Sequence, residues 1–571
     1  MSYRAPVKEM TFYLDNVLDA GRISETEKFA EATADMTEAI LGEAARLSEE
    51  VLAPLNVAGD LHPAHLENGV TRCSPGFDDG YKAISEGGWV GMAGAPEFGG
   101  MGLPLALTSC VGEMMSGACL SLSLNPLMTQ GQIEALEHHA SDEIKALYLP
   151  KLISGQWTGT MNLTEAGAGS DVGALRTKAV DNGDGTYAVT GQKIFISWGD
   201  HDVAENICHL VLARLPGAVA GTKGISLFLV PKFLPDANGN PGVANNAGAI
   251  SLEHKMGLHG SPTAIMEFAG ATGWMVGPEG GGMAAMFTMM NNARIGVGVQ
   301  GLSQAEAATQ KALEYAGERK QGRSPVEGGT GTILDHADVR RNIMTMKTLT
   351  SVARAIILDA AISMDLSKGL DGDAAHTQAA RAAFLTPIAK AFGTDTGCEV
   401  AEIGVQVHGG MGYIEETGAA QFYRDVRVTA IYEGTNGIQA MDMVGRKLMD
   451  GGVAAFALLG EISLTAAQAE AEAPDLAAFL AAAEMSLNAT THWMVDARMN
   501  DRFAGAVPFL RAFALTLGGH YLLKAAMVDA SRMPLARFHI RQTMQQVDAL
   551  CSAAREGAST LYALDAAALG A

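Results

Sequence analysis

The feature that most restricts the fold of this chain is a change of hydrophobic period, from helical to alternating and back to helical. Residues 24 to 150 carry apolar side chains at helical spacing. Between about residues 156 and 275 the pattern shortens, and GTYAVTGQKIFISW and GISLFLVP have the length and bounding turn residues of strands. From residue 282 the helical period returns in long segments. The order predicts a helical region, a β region and further helices.

These changes divide the chain into four predicted domains. We expect an N-terminal helical domain (1–155), a middle β domain (156–280), a C-terminal helical bundle (281–450) and an additional helical domain (451–571). A chain of 571 residues accommodates about three or four domains of the usual 100–200 residues. Four helical stretches in the third region, the last beginning after Gly434, predict a four-helix bundle. The predicted fold class is therefore mainly α with a middle β domain.

Charge, cysteine usage and hydropathy exclude several classes of function. The net charge of −23 argues against a nucleic-acid partner, which normally requires a basic surface. The six cysteines form no CxxC pair and no HExxH is present, so we expect neither a disulfide framework nor a metal site. No uninterrupted apolar run approaches the roughly 18 residues of a membrane span, and the N-terminus lacks a signal-peptide pattern. We expect a cytoplasmic protein that does not bind a membrane.

Two segments of the β region are candidates for a cofactor site. In MNLTEAGAGSDVGALRTKA, the hydroxyls of Thr164 and Ser170 can hydrogen-bond a planar cofactor or a phosphate. The segment misses the dinucleotide fingerprint because Val172 stands where the last glycine is needed, and its glycines can simply form surface turns. In QKIFISWG, Phe195 and Ser197 can flank a flavin ring, but a strand phenylalanine is more often core.

Three further motifs allow both a structural and a functional interpretation. Arg319, Lys320 and Arg323 cluster after a predicted helix end, where cations either stabilise the helix dipole or clamp a pyrophosphate. The glycines of VQVHGGMGY either end a helix or permit close backbone approach to a ligand. Arg294 lies among apolar and small residues, so its charge requires a partner from the protein or from a ligand.

Glu433 is the candidate catalytic residue. It follows the apolar run VTAIY and precedes a predicted helix in YEGTNGIQ. Apolar neighbours remove water from a carboxylate and raise its pKa, which is the usual preparation of a general base. A carboxylate at a helix N-terminus is also stabilised by the helix dipole, so position alone leaves both explanations open.

Taken in order, these segments resemble the acyl-CoA dehydrogenase family. The resemblance covers roughly residues 80–450 and is carried by YLPKLISGQWTGTMNLTEAGAGSD, GQKIFISWG, KMGLHGSPT, GPEGGGM, VQVHGGMGY and RDVRVTAIYEGTNGIQ. It implies an N-terminal helical domain, a β-barrel-like middle domain and a C-terminal four-helix bundle, with FAD between the β domain, the bundle and a neighbouring subunit. The implied reaction is α,β-dehydrogenation of an acyl-CoA thioester.

The resemblance also implies roles for individual residues. Glu433 would take the α-proton of the substrate while the flavin accepts the β-hydride. The implied FAD contacts are Leu163, Thr164, Gly169, Phe195, Ile196, Ser197, Arg319, Gln406, Gly410, Thr435 and Asn436. The implied substrate contacts are Ser170, Asn291, Arg294 and Gly434.

The opening segment YRAPVKEMTFYLDNVL and the extra C-terminal block are similar to one branch of the family. That branch includes dehydrogenases of 3-methylmercaptopropionyl-CoA in dimethylsulfoniopropionate breakdown. The resemblance implies electron-transfer flavoprotein as electron acceptor and a homodimer or dimer of dimers. Alternatives are a short- or medium-chain acyl-CoA dehydrogenase, an acyl-CoA oxidase of the same fold, or a non-catalytic flavin-fold binding protein.

Overall fold

The N-terminal part of the protein is mainly helical, as its apolar period predicts. The structure is a computed structural model that describes residues 3–570, except the side chains of residues 291 and 292. The helices are α1 (Val7–Phe12), α2 (Ala34–Arg46), α3 (Leu55–Leu61), α4 (Phe77–Glu86), α5 (Leu105–Ala118), α6 (Leu120–His139) and α7 (Asp142–Ile153), with the ribbon β1 (His65–Glu67) and β2 (Val70–Arg72) after α3. Almost all of α5 and most of α6 are buried, so these two helices form the centre of this region.

The middle region is a closed β structure, which confirms the barrel-like prediction. Its strands are β3 (Trp157–Asn162), β4 (Lys178–Asp181), β5 (Tyr187–Ser197), β6 (Asn206–Arg214), β7 (Ile225–Pro231), β8 (Phe233–Pro235), β9 (Pro241–Ala244), β10 (Ala247–Leu252) and β11 (Thr263–Val276). Strands β11, β5, β4, β6 and β7 pair in sequence, and β7 pairs back to β11, so they form a ring. Strand β3 extends the ring parallel to β6, and β10 extends it antiparallel to β11. The ring surrounds an apolar core that includes Val189, Phe228 and Phe268.

Three long helices dominate the predicted bundle. They are α8 (Gly282–Glu318), α9 (Ala337–Gly369) and α10 (Gly372–His408), followed by the shorter α11 (Ala419–Val426) and α12 (Asn436–Asp442). Glycines allow α8 and α10 to touch closely, since a Cβ on Gly298 would lie 2.6 Å from the Ala389 carbonyl oxygen and one on Gly301 2.3 Å from that of Gly393. This close crossing lies beside Lys390, which contacts the loop that carries Glu433.

A further helical block follows the bundle. It contains α13 (Val453–Ala469), α14 (Pro474–Asp496), α15 (Met499–Val528), α16 (Met533–Phe538), α17 (Val547–Arg555) and α18 (Ala566–Leu569). Helix α15 is the single helix within residues 3–570 that is long and apolar enough to cross a membrane, but 83% of its most apolar window is buried in the protein. Arg532 of this block donates to the carboxylate of Glu9, and Lys524 donates to the Val17 carbonyl. The block is thereby bound to the N-terminal segment.

Candidate active site

The loop that carries Glu433 has an unusual backbone. It lies between a short turn that ends at Ala430 and the start of α12, where the Thr435 hydroxyl accepts the Ile438 N–H at 3.3 Å. Glu433 has φ +55° and Gly434 has φ +82°, two consecutive residues in the left-handed region. For a non-glycine residue this conformation costs about 1–3 kcal/mol and persists only when its surroundings impose it. The loop is therefore held in a conformation that its own sequence does not favour.

Hydrogen bonds from neighbouring side chains hold this backbone. Gln439 Nε2 donates to the Glu433 carbonyl at 3.0 Å, and Lys390 Nζ donates to the Gly434 carbonyl at 2.9 Å. A Cβ on Gly434 would lie 2.9 Å from Gln439 Nε2. The positive φ and this close contact are sufficient to explain why residue 434 is a glycine, independently of the substrate contact that the resemblance implies.

The carboxylate of Glu433 is poised as a base. The residue is half-buried, and its Oε2 is shielded from solvent with no hydrogen-bond partner among residues 3–570. Burial raises the pKa of Glu433 to about 7, against the opposing positive charges of Arg294 and Lys390. In the preceding apolar run, Thr429 is buried and Tyr432 is half-buried, whereas Ile431 is 51% exposed.

Arg294, a substrate contact that the resemblance implies, lies on α8, and its charge acts on this carboxylate. It is 7% exposed, and its Nη1 lies 3.6 Å from Asp442 Oδ2. Burial lowers the pKa of Arg294, while Asp442 and Glu433 oppose that effect. Its Nε is buried and unpaired within the described residues, which leaves one donor for a ligand. The side chain of Asn291, a predicted substrate contact, lies outside the described residues.

The site contains polar residues that sequence reasoning missed. Lys390 and Gln439 hold the loop, and the Tyr432 hydroxyl donates to Gln300 Oε1. A lysine inside the apolar stretch LTPIAKAF is the one signal in the sequence that points to Lys390. Gln300 and Gln439 lie in helical patterns that give no indication of their partners. Asn436, a predicted cofactor contact, has its amide bonded inside the protein.

The β region presents Phe195 to the surface at the end of β5. This side chain is 60% exposed and its φ is +61°, again the left-handed region. Its neighbour Ile196 is 3% exposed within the β core, so that only its backbone is available to a ligand, while Ser197 is half-buried. Trp198 (φ +52°) is 1% exposed and its indole Nε1 donates to the Ser121 carbonyl at 3.1 Å. An aromatic face held outward in a strained conformation provides a platform for a flat ligand.

The glycine-rich loop after β3 is anchored by a buried ion pair. Lys193 Nζ donates to Glu165 Oε1 at 2.8 Å and to the Leu163 carbonyl at 3.0 Å. Glu165 also accepts the Thr177 N–H at 3.0 Å. Thr164 is half-buried, whereas the tip of the loop, Gly169 and Ser170, is exposed. Sequence reasoning found the loop but not Glu165 and Lys193, which fix it to β5.

A second exposed group of predicted contacts lies where α8 and α10 end. The rings of Tyr315 and His408 stack with centroids 4.5 Å apart, which holds these two helix ends together. Arg319 follows Tyr315, and Gln406 and Gly410 flank His408; all three are exposed. Arg319 makes no salt bridge within residues 3–570, and neither do the exposed Lys320 and Arg323. The structure therefore brings the predicted cation clamp and the predicted glycine segment together.

Comparisons with known proteins identify the family. Models for the N-terminal, middle and C-terminal domains of acyl-CoA dehydrogenase match residues 36–156, 160–271 and 280–449. A fourth, described as acetyl-CoA dehydrogenase C-terminal like, matches residues 458–565. The 3-methylmercaptopropionyl-CoA dehydrogenase of Ruegeria pomeroyi is 44% identical over 89% of this chain and 88% of its own length.

The chain belongs to the acyl-CoA dehydrogenase family. A butyryl-CoA dehydrogenase of Syntrophomonas wolfei is 34% identical over 78% of this chain and 76% of its own length. The fold is shared with Caenorhabditis elegans ACDH-11 in complex with C11-CoA, with a TM-score of 0.77 and 20% identity over 94% of this chain and 91% of that chain. Acyl-CoA dehydrogenation is the activity of this family, and the predicted enzyme class is confirmed.

The residues of this acyl-CoA dehydrogenase fit the family's FAD. The exposed Phe195 offers an apolar face for the flavin ring, and the loop tip at Gly169 and Ser170 offers backbone and hydroxyl groups beside it. The exposed Arg319 offers a charged fork suited to a pyrophosphate. No group of three or more metal-ligating side chains lies together in the described part of the chain.

Proposed function

We propose that this protein is an FAD-dependent acyl-CoA dehydrogenase whose substrate is 3-methylmercaptopropionyl-CoA. The observation that carries the proposal is the unpaired, buried Oε2 of Glu433. Its pKa of about 7 means that the carboxylate is partly ionised at neutral pH and is a stronger base than an ordinary glutamate. The 44% identity to the Ruegeria pomeroyi enzyme supports the choice of substrate.

In this mechanism Glu433 removes the α-proton of the thioester. The bound acyl chain lies against the half-buried face of the carboxylate, and the unpaired Oε2 receives the proton. FAD, when bound, supplies the acceptor for the hydride that leaves the β-carbon. The substrate thus loses two hydrogens and gains a trans double bond between the α- and β-carbons.

The predicted FAD contacts form two groups in the proposal. Leu163, Thr164, Gly169, Phe195, Ile196 and Ser197 lie at the flavin ring, and Arg319, Gln406 and Gly410 lie at the pyrophosphate and adenine. Thr435 contributes a backbone group at the end of the loop. Asn436 contributes through its backbone alone, because its side-chain amide is bonded to Lys390, Thr394, Asp395 and Ala391. Ser170, Arg294, Gly434 and Asn291 remain our proposed substrate contacts.

The proposed assembly is a homodimer or a dimer of dimers in the cytoplasm. Met411, Tyr413 and Ile414 follow Gly410 and are large, apolar and exposed, with Tyr413 86% exposed. Such a patch beside Arg319 is suited to burial against a second copy, which would also cover the adenine end of FAD. Electron-transfer flavoprotein is the proposed electron acceptor.

A panel of acyl-CoA thioesters tests the substrate. The FAD-loaded protein is mixed without oxygen with 3-methylmercaptopropionyl-CoA, butyryl-CoA, octanoyl-CoA and palmitoyl-CoA, and the loss of flavin absorbance is followed by stopped flow. We expect the fastest bleaching with 3-methylmercaptopropionyl-CoA and a product two hydrogens lighter by mass spectrometry. Faster bleaching with butyryl-CoA would favour a short-chain dehydrogenase, and bleaching with none of them would contradict the enzyme activity.

Reoxidation separates a dehydrogenase from an oxidase. The reduced protein is mixed with air-saturated buffer or, in a parallel sample, with oxidised electron-transfer flavoprotein. We expect slow recovery of flavin absorbance in air and fast recovery with the flavoprotein. Rapid recovery in air with release of hydrogen peroxide would favour the acyl-CoA oxidase alternative.

A further inference from the structure

Lys390 is a fully buried lysine in the middle of α10, directly behind the Glu433 loop. Its exposure is 0%, and Nζ donates to the Gly434 carbonyl and to Asn436 Oδ1, each at 2.9 Å. Neither of these acceptors carries a charge, and Lys390 has no salt bridge within the described residues. Burying an ammonium group without a paired carboxylate is unfavourable, and burial accordingly lowers the pKa of Lys390 to about 8.

The amine holds two residues of the segment that follows Glu433. Its bond to Gly434 fixes the left-handed backbone immediately after the base. Its bond to Asn436 belongs to a network, since Asn436 Nδ2 also donates to Asp395 Oδ1 at 2.6 Å and to Thr394 Oγ1 at 2.9 Å. One lysine therefore bonds two of the three residues that follow Glu433 to α10.

The positive charge of Lys390 also acts on the base electrostatically. Lys390 and Arg294 both favour the ionised carboxylate of Glu433 and so oppose the effect of burial on its pKa. The other titratable groups that interact with this pair or with Arg294 are Asp395 and Cys398 on α10, Tyr432 in the loop, Asp442 on α12 and Arg446 in the turn that follows α12. Among them, Lys390 is the cation that is bonded to the loop itself.

We propose that Lys390 is a positioning residue for Glu433, whose ammonium clamps the strained turn and supplies positive charge that favours the ionised base. This inference rests on the proposed function, because it acts through the proposed base. Replacing the lysine should loosen the turn and make the carboxylate harder to ionise. Both effects reduce the rate at neutral pH, but only the second moves the pH dependence.

Three variants test the proposal. Lys390→Met removes the charge and both hydrogen bonds with little change of volume, and Lys390→Arg keeps the charge but alters the clamp. Lys524→Met is the matched control, because Lys524 is a half-buried lysine that donates to the Val17 carbonyl in the additional helical domain. Each FAD-loaded variant is mixed without oxygen with saturating acyl-CoA, and the bleaching rate is measured across pH values on both sides of neutrality. Flavin content and thermal unfolding are measured alongside.

For Lys390→Met we expect a bleaching rate about 10- to 100-fold lower at neutral pH and an inflection moved upward by about one pH unit, the usual size of shift from one neighbouring charge. Lys390→Arg should lower the rate with the inflection unmoved. Lys524→Met should change neither quantity. A flavin-loaded Lys390→Met with the wild-type rate and inflection would overturn the proposal.

A second arm covers the possibility that Lys390→Met does not fold. In that case Lys390→Arg decides, because a wild-type rate from a guanidinium that cannot reproduce the clamp would overturn the positioning role. Glu433→Gln in the same assay distinguishes the two levels of inference. If it bleaches at the wild-type rate, the proposed base itself is wrong; if it is inactive while Lys390→Met behaves as wild type, only the Lys390 inference fails.

Discussion

Two glutamates of this protein have carboxyl oxygens shielded from water, but only one of the two carboxyl groups is paired with a cation. Glu113 on α5 is 1% exposed, and both its oxygens accept from Arg354 of α9 at 3.1 and 3.2 Å. Glu433 has a buried oxygen with no partner in the described part of the chain. Burial raises the pKa of both carboxyls, but beside Glu113 the guanidinium of Arg354 opposes that effect through hydrogen bonds as well as charge. In our proposal, the missing partner rather than burial alone is what suits Glu433 to act as a base.

The partner also decides what each glutamate contributes. Arg354 is 1% exposed and its Nη2 donates to Glu306 as well, at 2.8 Å, so that α5, α8 and α9 meet at one closed cluster. A fully bonded cluster of this kind specifies how helices pack. The Oε2 of Glu433 has no partner in the described part of the chain, and in our proposal it receives the substrate proton. We therefore expect changes at Glu433 to lower mainly the bleaching rate, and changes in the Glu113–Arg354 cluster to lower mainly the stability.

The largest effect should come from Glu433→Gln. The amide keeps the shape of the side chain but cannot accept a proton, and general-base catalysis contributes roughly 10²–10⁴-fold to rate. We expect the anaerobic bleaching rate to fall by about that factor or more, with flavin content unchanged and no loss of thermal stability. Glu402→Gln, on an exposed position of α10, is the matched control and should keep the wild-type rate. A variant that retains more than about a tenth of the wild-type rate would show that another group takes the proton.

The next largest effect should come from Arg354→Met. This change leaves Glu113 buried and unpaired, which typically costs about 3–5 kcal/mol. We expect a lower midpoint of urea unfolding, with the bleaching rate per bound flavin unchanged. The double variant Arg354→Met with Glu113→Gln removes both charges and should recover part of the loss, by about 1 kcal/mol or more. Wild-type stability of Arg354→Met would mean that the cluster is not a structural element.

The sequence was sufficient to find Glu433 but not what supports it. An acid between an apolar run and a helix start is a pattern of adjacent residues, and the family motif around it is specific. Lys390 lies 44 residues before Gly434 in the sequence, and the two meet only in the folded chain. The hydrophobic periodicity of neighbouring residues therefore could not predict that contact. The same applies to Gln439, whose side chain turns back onto the loop that precedes its helix.

The fold was more predictable than the orientation of side chains. Long helices and short strands follow from hydrophobic period, and the change at about residue 156 coincides with β3. Asn436 was predicted from its position in the motif, but its amide faces α10 because Lys390 and Asp395 offer it partners there. Gly434 was predicted only as a substrate contact that the resemblance implies, and its φ of +82° gives a local reason for a glycine that the motif does not indicate. Orientation depends on neighbours that are distant in the sequence.

The smallest effect should be on the pH dependence of stability. The wild-type Glu433 carboxyl contributes to this dependence, whereas the side-chain amide of Glu433→Gln does not. The pKa of Glu433 is about 7 in the folded protein and about 4.5 in the unfolded chain. Between these values the folded state keeps a proton that the unfolded state releases, so this residue's contribution falls as pH rises from about 4.5 to 7. Glu433→Gln does not titrate, and its stability relative to wild type should therefore increase over that window.

The expected size is about 1–2 kcal/mol, because one pKa unit corresponds to about 1.4 kcal/mol and the half-buried position of Glu433 reduces the full effect. The measurement is the difference in urea midpoint between the two proteins at pH 5 and at pH 7.5, and Glu402→Gln gives the baseline for losing one exposed negative charge. A constant difference at both pH values would mean that the carboxylate is solvated or paired, as Glu113 is. The contrast between an open and a closed buried glutamate would then no longer hold, even if Glu433→Gln were inactive.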